Sequence, residues 1–97
     1  MAIAVMAENA NQINDALAEL GYNMSLGYSR VGGPITPLLD AEKEDSEVSI
    51  KIRFDGEYFV IDTIDYTEGF GGQTSFETLE KIELELADRG VWIERRR

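Results

Sequence analysis

Residues 47–66 read Glu-Val-Ser-Ile-Lys-Ile-Arg-Phe-Asp-Gly-Glu-Tyr-Phe-Val-Ile-Asp-Thr-Ile-Asp-Tyr, and this stretch decides the fold. Its first half alternates. Val48, Ile50, Ile52 and Phe54 point one way, while Glu47, Ser49, Lys51, Arg53 and Asp55 point the other, which is the period of a strand with one wet face. Asp55-Gly56 is one of the strongest short-range hairpin signals, so residues 47–55 and 57–66 read as an antiparallel pair. The turn leaves the register open. A two-residue loop of type I′ pairs Ile52 with Phe59 and Ile50 with Ile61, and sets Phe54 opposite Glu57. A three-residue loop with Gly56 in a bulge pairs Arg53 with Glu57, Ile52 with Tyr58 and Ile50 with Val60, which turns the second strand over. That strand carries Tyr58, Val60, Ile64 and Tyr66 on one face and Phe59 and Ile61 on the other. Neither face is mainly polar, so it reads as a central strand.

Upstream of the hairpin, Ile3, Met6, Ala10, Ile13, Leu17 and Leu20 recur in steps of three and four, placing a helix over residues 8–20 with Gly21 as its stop. Residues 2–6 either extend this helix or form a short strand, since Ile3 and Val5 alternate with alanines. Met24, Leu26 and Tyr28 have the period of a strand over residues 22–31, weakened by Gly27. Gly32-Gly33-Pro34 ends that segment, and residues 40–47 read as a solvated acidic loop. Downstream, Thr74 and Glu77 form a capping-box pair that opens a second helix, and Gly90 closes it. Leu79, Ile82 and Leu86 supply its buried stripe, with Phe76 near the start. Glu77, Lys81, Glu85 and Arg89 form a solvated ridge of alternating sign on the outside. Val91-Trp92-Ile93 reads as a last short strand before Arg95-Arg96-Arg97.

A chain of 97 residues makes one domain, spanning residues 1–97. The element order predicts an α+β two-layer sandwich: a mostly antiparallel sheet of three to five strands with both helices on one face. If residues 2–6 are a strand and residues 22–31 are not, the order is β-α-β-β-α-β, the ferredoxin-like arrangement.

Composition narrows the chemistry. There are 9 basic and 19 acidic residues, a formal charge of −10, and 43% of the chain is apolar, enough for a core. Histidine and cysteine are both absent. That removes disulfides, thiolate nucleophiles, the usual general base and the commonest metal ligands, so a non-enzymatic role without metal or cofactor is expected. Asp40, Glu42 and Glu44 alternate as in a calcium loop, but Asp45 stands where a sharp turn needs glycine and Lys51 where a bidentate glutamate is needed. Asp62 and Asp65 are three apart in a strand and face opposite ways, so they form no carboxylate pair. The loop Glu68-Gly69-Phe70-Gly71-Gly72 precedes a helix but lacks the lysine and hydroxyl of a phosphate loop. Phe70, set among glycines, is instead a candidate apolar anchor for a partner. The apolar start of the chain has no basic flank and is interrupted at Glu8 and Asn9, so neither a signal segment nor a membrane span is expected, and the location is read as cytoplasmic.

The charge is unevenly placed. Without Arg95, Arg96 and Arg97 the remainder carries 6 basic and 19 acidic residues, a net −13 that repels phosphate backbones, so direct nucleic-acid binding is not expected. Between positions 40 and 68 ten acids face only Lys43, Lys51 and Arg53. Such a field suits a basic partner, with fast, salt-sensitive association.

Leu17-Ala18-Glu19-Leu20-Gly21-Tyr22, closing the first helix, resembles the same stretch in short phage-encoded accessory proteins, a class that includes anti-CRISPRs and other inhibitors of host nucleic-acid machinery. The run through Gly56, Tyr58, Val60, Gly72, Thr74 and Glu77 is similar in rhythm to HicB-type antitoxins, with Ile64 to Gly69 standing where that family carries Pro-Asp-Leu-Pro-Gly. The resemblance implies an acidic inhibitor that binds the basic surface of a nucleic-acid-binding host defence complex as a nucleic-acid mimic. Glu42, Glu44, Asp45, Glu47, Asp65, Glu68 and Phe70 are its expected partner-binding residues. A structural component of a phage virion and a HicB-like antitoxin are the alternatives.

Overall fold

The structure is a computed structural model that describes residues 2–30, 32–65 and 73–96. Along the chain these form β1 (Ala2–Met6), a 3-10 turn (Ala7–Asn9), α1 (Ala10–Glu19), β2 (Asn23–Ser29), β3 (Thr36–Glu42), β4 (Val48–Phe54), β5 (Tyr58–Asp65), α2 (Gln73–Asp88) and β6 (Glu94–Arg96). Four strands make one sheet in the order β4-β5-β1-β6, with every neighbouring pair antiparallel. β2 and β3 pair separately as an antiparallel ribbon. The fold is α+β, as the element order predicts. Without the ribbon, the β-α-β-β-α-β sheet has its strands in the ferredoxin-like order, so the ribbon is an insertion between α1 and β4.

The central hairpin takes neither of the two expected registers. Phe54 pairs with Phe59, Ile52 with Ile61 and Ile50 with Thr63. The loop is Gly56-Glu57, one residue later than Asp55-Gly56, because Gly56 adopts a φ of 100° at the first central position, as a type II′ turn requires. Asp55 steadies the turn. Its Oδ1 accepts the amides of Tyr58 at 2.8 Å and Glu57 at 3.3 Å. The shift also replaces the Phe54–Glu57 opposition with a Phe54–Phe59 aromatic pair, ring centroids 5.7 Å apart.

This register points Phe59, Ile61, Thr63 and Asp65 of β5 toward the helices, beside Ile3 and Val5 of β1 and Ile50 of β4. Ile13, Ala16 and Leu17 of α1 and Leu79, Ile82 and Leu86 of α2 complete one core cluster with them. Each large aliphatic side chain fully removed from water there contributes roughly 1.5–3 kcal/mol. One polar clamp is built into this layer. Thr63 Oγ1 lies 2.8 Å from the Ser75 carbonyl and 2.7 Å from Ser75 Oγ, and Ser75 Oγ lies 2.8 Å from the Thr63 carbonyl. The two hydroxyl protons thus satisfy both buried carbonyls and tie the first turn of α2 to the central strand.

Both helices end in the same way. At α1 the Tyr22 amide reaches the Leu17 carbonyl and the Gly21 amide reaches that of Ala18, with Gly21 at φ 95°. At α2 the Val91 amide reaches Leu86 and the Gly90 amide reaches Ala87, with Gly90 at φ 78°. These are two Schellman motifs, and the residues after the glycines, Tyr22 and Val91, are tucked into the core as the motif favours.

Residues 2–6, open between helix extension and short strand, form β1. Several expectations are corrected. Residues 40–42 belong to β3 rather than to a loop, because Leu39 and Ala41 face the core while Asp40 and Glu42 alternate outward. Val91-Trp92-Ile93 is not a strand, since Val91 is consumed by the α2 cap, and the pairing moves to Glu94–Arg96. Thr74 lies inside the first turn of α2, where its carbonyl accepts from Thr78 Oγ1 at 2.9 Å. Phe76 is exposed, and Ser75 takes the buried position beside it.

Candidate partner-binding surface

Where β3 hands over to β4, the chain passes through residues 43–47, and four of the expected partner residues stand exposed at this corner: Glu42, Glu44, Asp45 and Glu47. Asp40 joins them on the outward face of β3. The corner holds its shape through local bonds. Asp45 takes left-handed backbone at φ 58°, which aspartate tolerates better than most residues. Ser46 Oγ accepts the Val48 amide at 3.2 Å and lies 2.9 Å from the Val48 carbonyl.

Lys43 is the one cation within residues 40–47, and it is turned away from its acidic neighbours. Its Nζ donates to the Leu20 carbonyl at 3.4 Å and sits 5.4 Å from the centre of the Tyr22 ring. A cation at the C-terminal end of α1 is well placed against the helix dipole. The same burial pushes the Tyr22 hydroxyl up from its ordinary pKa. Among the described residues, Asp40, Glu42, Glu44, Asp45 and Glu47 close no ion pair.

The basic end of the chain is spent elsewhere. Arg95 grips Glu83 of α2 with two bonds, one of them Nε–Oε2 at 2.8 Å, and this holds the Glu83 carboxyl below its usual range. Arg96 reaches Asp55 at 2.8 Å and Glu94 at 3.4 Å. β6 lies at the sheet edge opposite β4, so these arginines do not neutralise the corner between β3 and β4. Arg95 and Arg96 are thus paired away from the corner, where the nearest exposed cations besides Lys43 are Lys51 and Arg53 on β4.

Asp65 must be withdrawn from the expected set. It lies on the helix-facing side of β5 and is fully buried, so it presents no charge to a partner. Asp62, three residues earlier, faces the opposite way, as strand period requires. Glu68 and Phe70 lie outside the described residues.

The apolar component sits on the β2–β3 ribbon; the period of Met24, Leu26 and Tyr28 points to β2, and β3 is the strand that sequence reasoning missed. Leu26, Tyr28, Ile35 and Leu38 are all exposed here, Tyr28 by 74%. Leu38 shares its face with Asp40 and Glu42. The available signal was the period-two run Pro37, Leu39, Ala41, which was obscured by the acidic residues between and after them. Between the corner and the outer face of β4 and β5 lies an open groove of about 830 Å³, lined in part by Lys51, Arg53, Val60, Asp62 and Ile64. Among the described residues no cluster of three or more His, Cys, Asp or Glu side chains is arranged to hold a metal, and no helix is long and apolar enough to cross a membrane.

In comparisons with protein-family models, curated proteins and solved structures, nothing matches this chain.

Proposed function

We propose that this chain is a non-enzymatic binding protein that inhibits a nucleic-acid-binding host defence complex by occupying its basic surface. One observation carries the reading. Asp40, Glu42, Glu44, Asp45 and Glu47 stand exposed at a single corner, and the only cation among them is held against the end of α1. Lysines and arginines that normally grip phosphates meet carboxylates there instead, with association steered by the field of a −10 chain. Leu38, on the same face, supplies the apolar contact that a charged patch needs for a slow off-rate. Such a protein works in the cytoplasm of the cell whose defence it blocks.

The test is affinity capture from nuclease-treated host lysate at low and high salt, with mass-spectrometric identification of what is retained. A nucleic-acid-binding protein should be enriched at low salt, lost at high salt, and lost with the triple variant Glu42→Lys, Glu44→Lys, Asp45→Lys. Failure to enrich any such protein, or retention unchanged by the triple variant, rejects the reading.

A further inference from the structure

We propose that β2 is the contact strand of a symmetric homodimer, in which Asn23–Ser29 of one chain pairs antiparallel with Asn23–Ser29 of a second copy about a two-fold axis at Leu26. The inference rests on how two of the sheet edges, β6 and β2, differ. β6, at one end of the four-stranded sheet, is three residues long and every one of them is charged: Glu94, Arg95 and Arg96. Short, charged edges are how proteins block unwanted strand pairing. β2 has none of these guards. It runs seven residues, Asn-Met-Ser-Leu-Gly-Tyr-Ser, without a charge or a proline, in a chain that is 29% charged. Its ladder to β3 is continuous from Asn23↔Glu42 to Ser29↔Thr36, so no bulge twists the edge away. Among the described residues no strand lies along its other side.

The sequence of β2 is complementary to itself. An axis at Leu26 is the register that pairs all seven residues of both strands. On one face it sets Met24 against Tyr28 of the second copy, Leu26 against Leu26, and Tyr28 against Met24. That makes three apolar cross-strand pairs in a row, with Leu26 half exposed, Tyr28 three-quarters exposed and Met24 partly packed against the core. On the other face it opposes Asn23 to Ser29 and Ser25 to Gly27, all uncharged. Electrostatics single out the same strand. The nearest acids, Asp40 and Glu42, sit on β3, and in this arrangement the two copies of β3 are three strand spacings apart, roughly 14 Å. That exceeds the Debye length of about 8 Å at physiological ionic strength. With so few residues a side, the dimer is a weak one whose affinity rises with salt, because salt screens the repulsion between two −10 chains.

Sedimentation velocity across the micromolar range, at low and high sodium chloride, reads this directly. The expected result is a monomer–dimer equilibrium that shifts toward dimer as salt rises. Leu26→Lys sets two like charges opposite each other and should weaken the dimer by at least about tenfold, with circular dichroism unchanged because the side chain is half exposed. A second readout uses the absence of native cysteine. Leu26→Cys should oxidise to a disulfide-linked dimer, since paired Cα atoms lie about 4.5–5.5 Å apart, while Leu38→Cys on β3 should not. A monomer at all concentrations and salts, a dimer indifferent to Leu26→Lys, or equal crosslinking at both cysteines overturns the proposal. Partner capture through the acidic corner weakens with salt and the dimer strengthens, so the two readings fail independently.

Discussion

The Arg96 guanidinium lies 2.8 Å from the Asp55 carboxylate, although 41 residues separate them, and on its way it stacks 5.0 Å from the centre of the Tyr58 ring. This contact ties the last strand to the turn of the central hairpin. It turns part of a terminal arginine run, which reads as a solvated tail, into a fixed element of the sheet's outer face. Hydrogen bonds from Arg96 and from the Tyr58 amide hold the Asp55 carboxyl down at about 2.

A lowered carboxylate pKa stabilises the fold where the unfolded group is ionised. The Asp55 contribution is therefore present in full above about pH 4 and is lost as pH falls toward 2. Asp55→Asn keeps an acceptor for the turn amides and removes the charge. In thermal melts the parent chain should exceed this variant between pH 5 and pH 7, and the gap should close near pH 2. A gap that persists at pH 2 would show that the turn, not the ion pair, is responsible.

Gly21→Ala and Gly90→Ala force a Cβ into left-handed backbone at both helix ends, each at a cost of roughly 1–2 kcal/mol in urea denaturation. Gly27→Ala is the internal control. Its backbone is not left-handed and an added Cβ meets nothing within 4 Å, so the change should be neutral or slightly stabilising.

Thr63→Val removes one half of the buried clamp: the Ser75 carbonyl loses the hydroxyl that donates to it, while the Ser75 hydroxyl keeps the Thr63 carbonyl, a loss of roughly 1–3 kcal/mol. Adding Ser75→Ala should cost less than the sum of the two single changes, because either change alone already breaks the 2.7 Å contact between the two hydroxyls. A double-mutant cycle by chemical denaturation measures that coupling, and strict additivity would mean the clamp does not act as a unit.

Leu86→Ala empties a fully buried site where α2 meets the sheet, and should lower stability by about 2–5 kcal/mol. By contrast, Glu42→Lys, Glu44→Lys and Asp45→Lys together touch only exposed side chains and relieve like-charge repulsion. Asp45→Lys also puts a lysine on left-handed backbone at a cost of about 1 kcal/mol, so the combined effect on the denaturation midpoint should be small, and Glu42→Lys with Glu44→Lys alone is the clean probe of partner binding.

Much of this molecule was written locally. The strands at 48–54 and 58–65, the two helices and their glycine stops follow from period and backbone preference within a few residues, and the structure keeps them. The opposite facing of Asp62 and Asp65 follows from strand period alone. Other features depend on choices between near-equal local options. Asp55-Gly56 admits several loops, and the register was settled by matching Phe54 to Phe59 and seating Ile52 and Ile61 under the helices. β3 was hidden because its charged residues read as a loop until Leu39 and Ala41 were given a core to face.

The sequence by itself determined the composition-level chemistry: an acidic α+β domain without histidine or cysteine, with its carboxylates crowded between positions 40 and 68. Only the tertiary structure decided which of those carboxylates meet water. Burial took Asp65 into the core, Arg96 neutralised Asp55, and the end of α1 drew Lys43 away from residues 40–47. Charge is a property of each residue, but its availability depends on what long-range packing brings beside it.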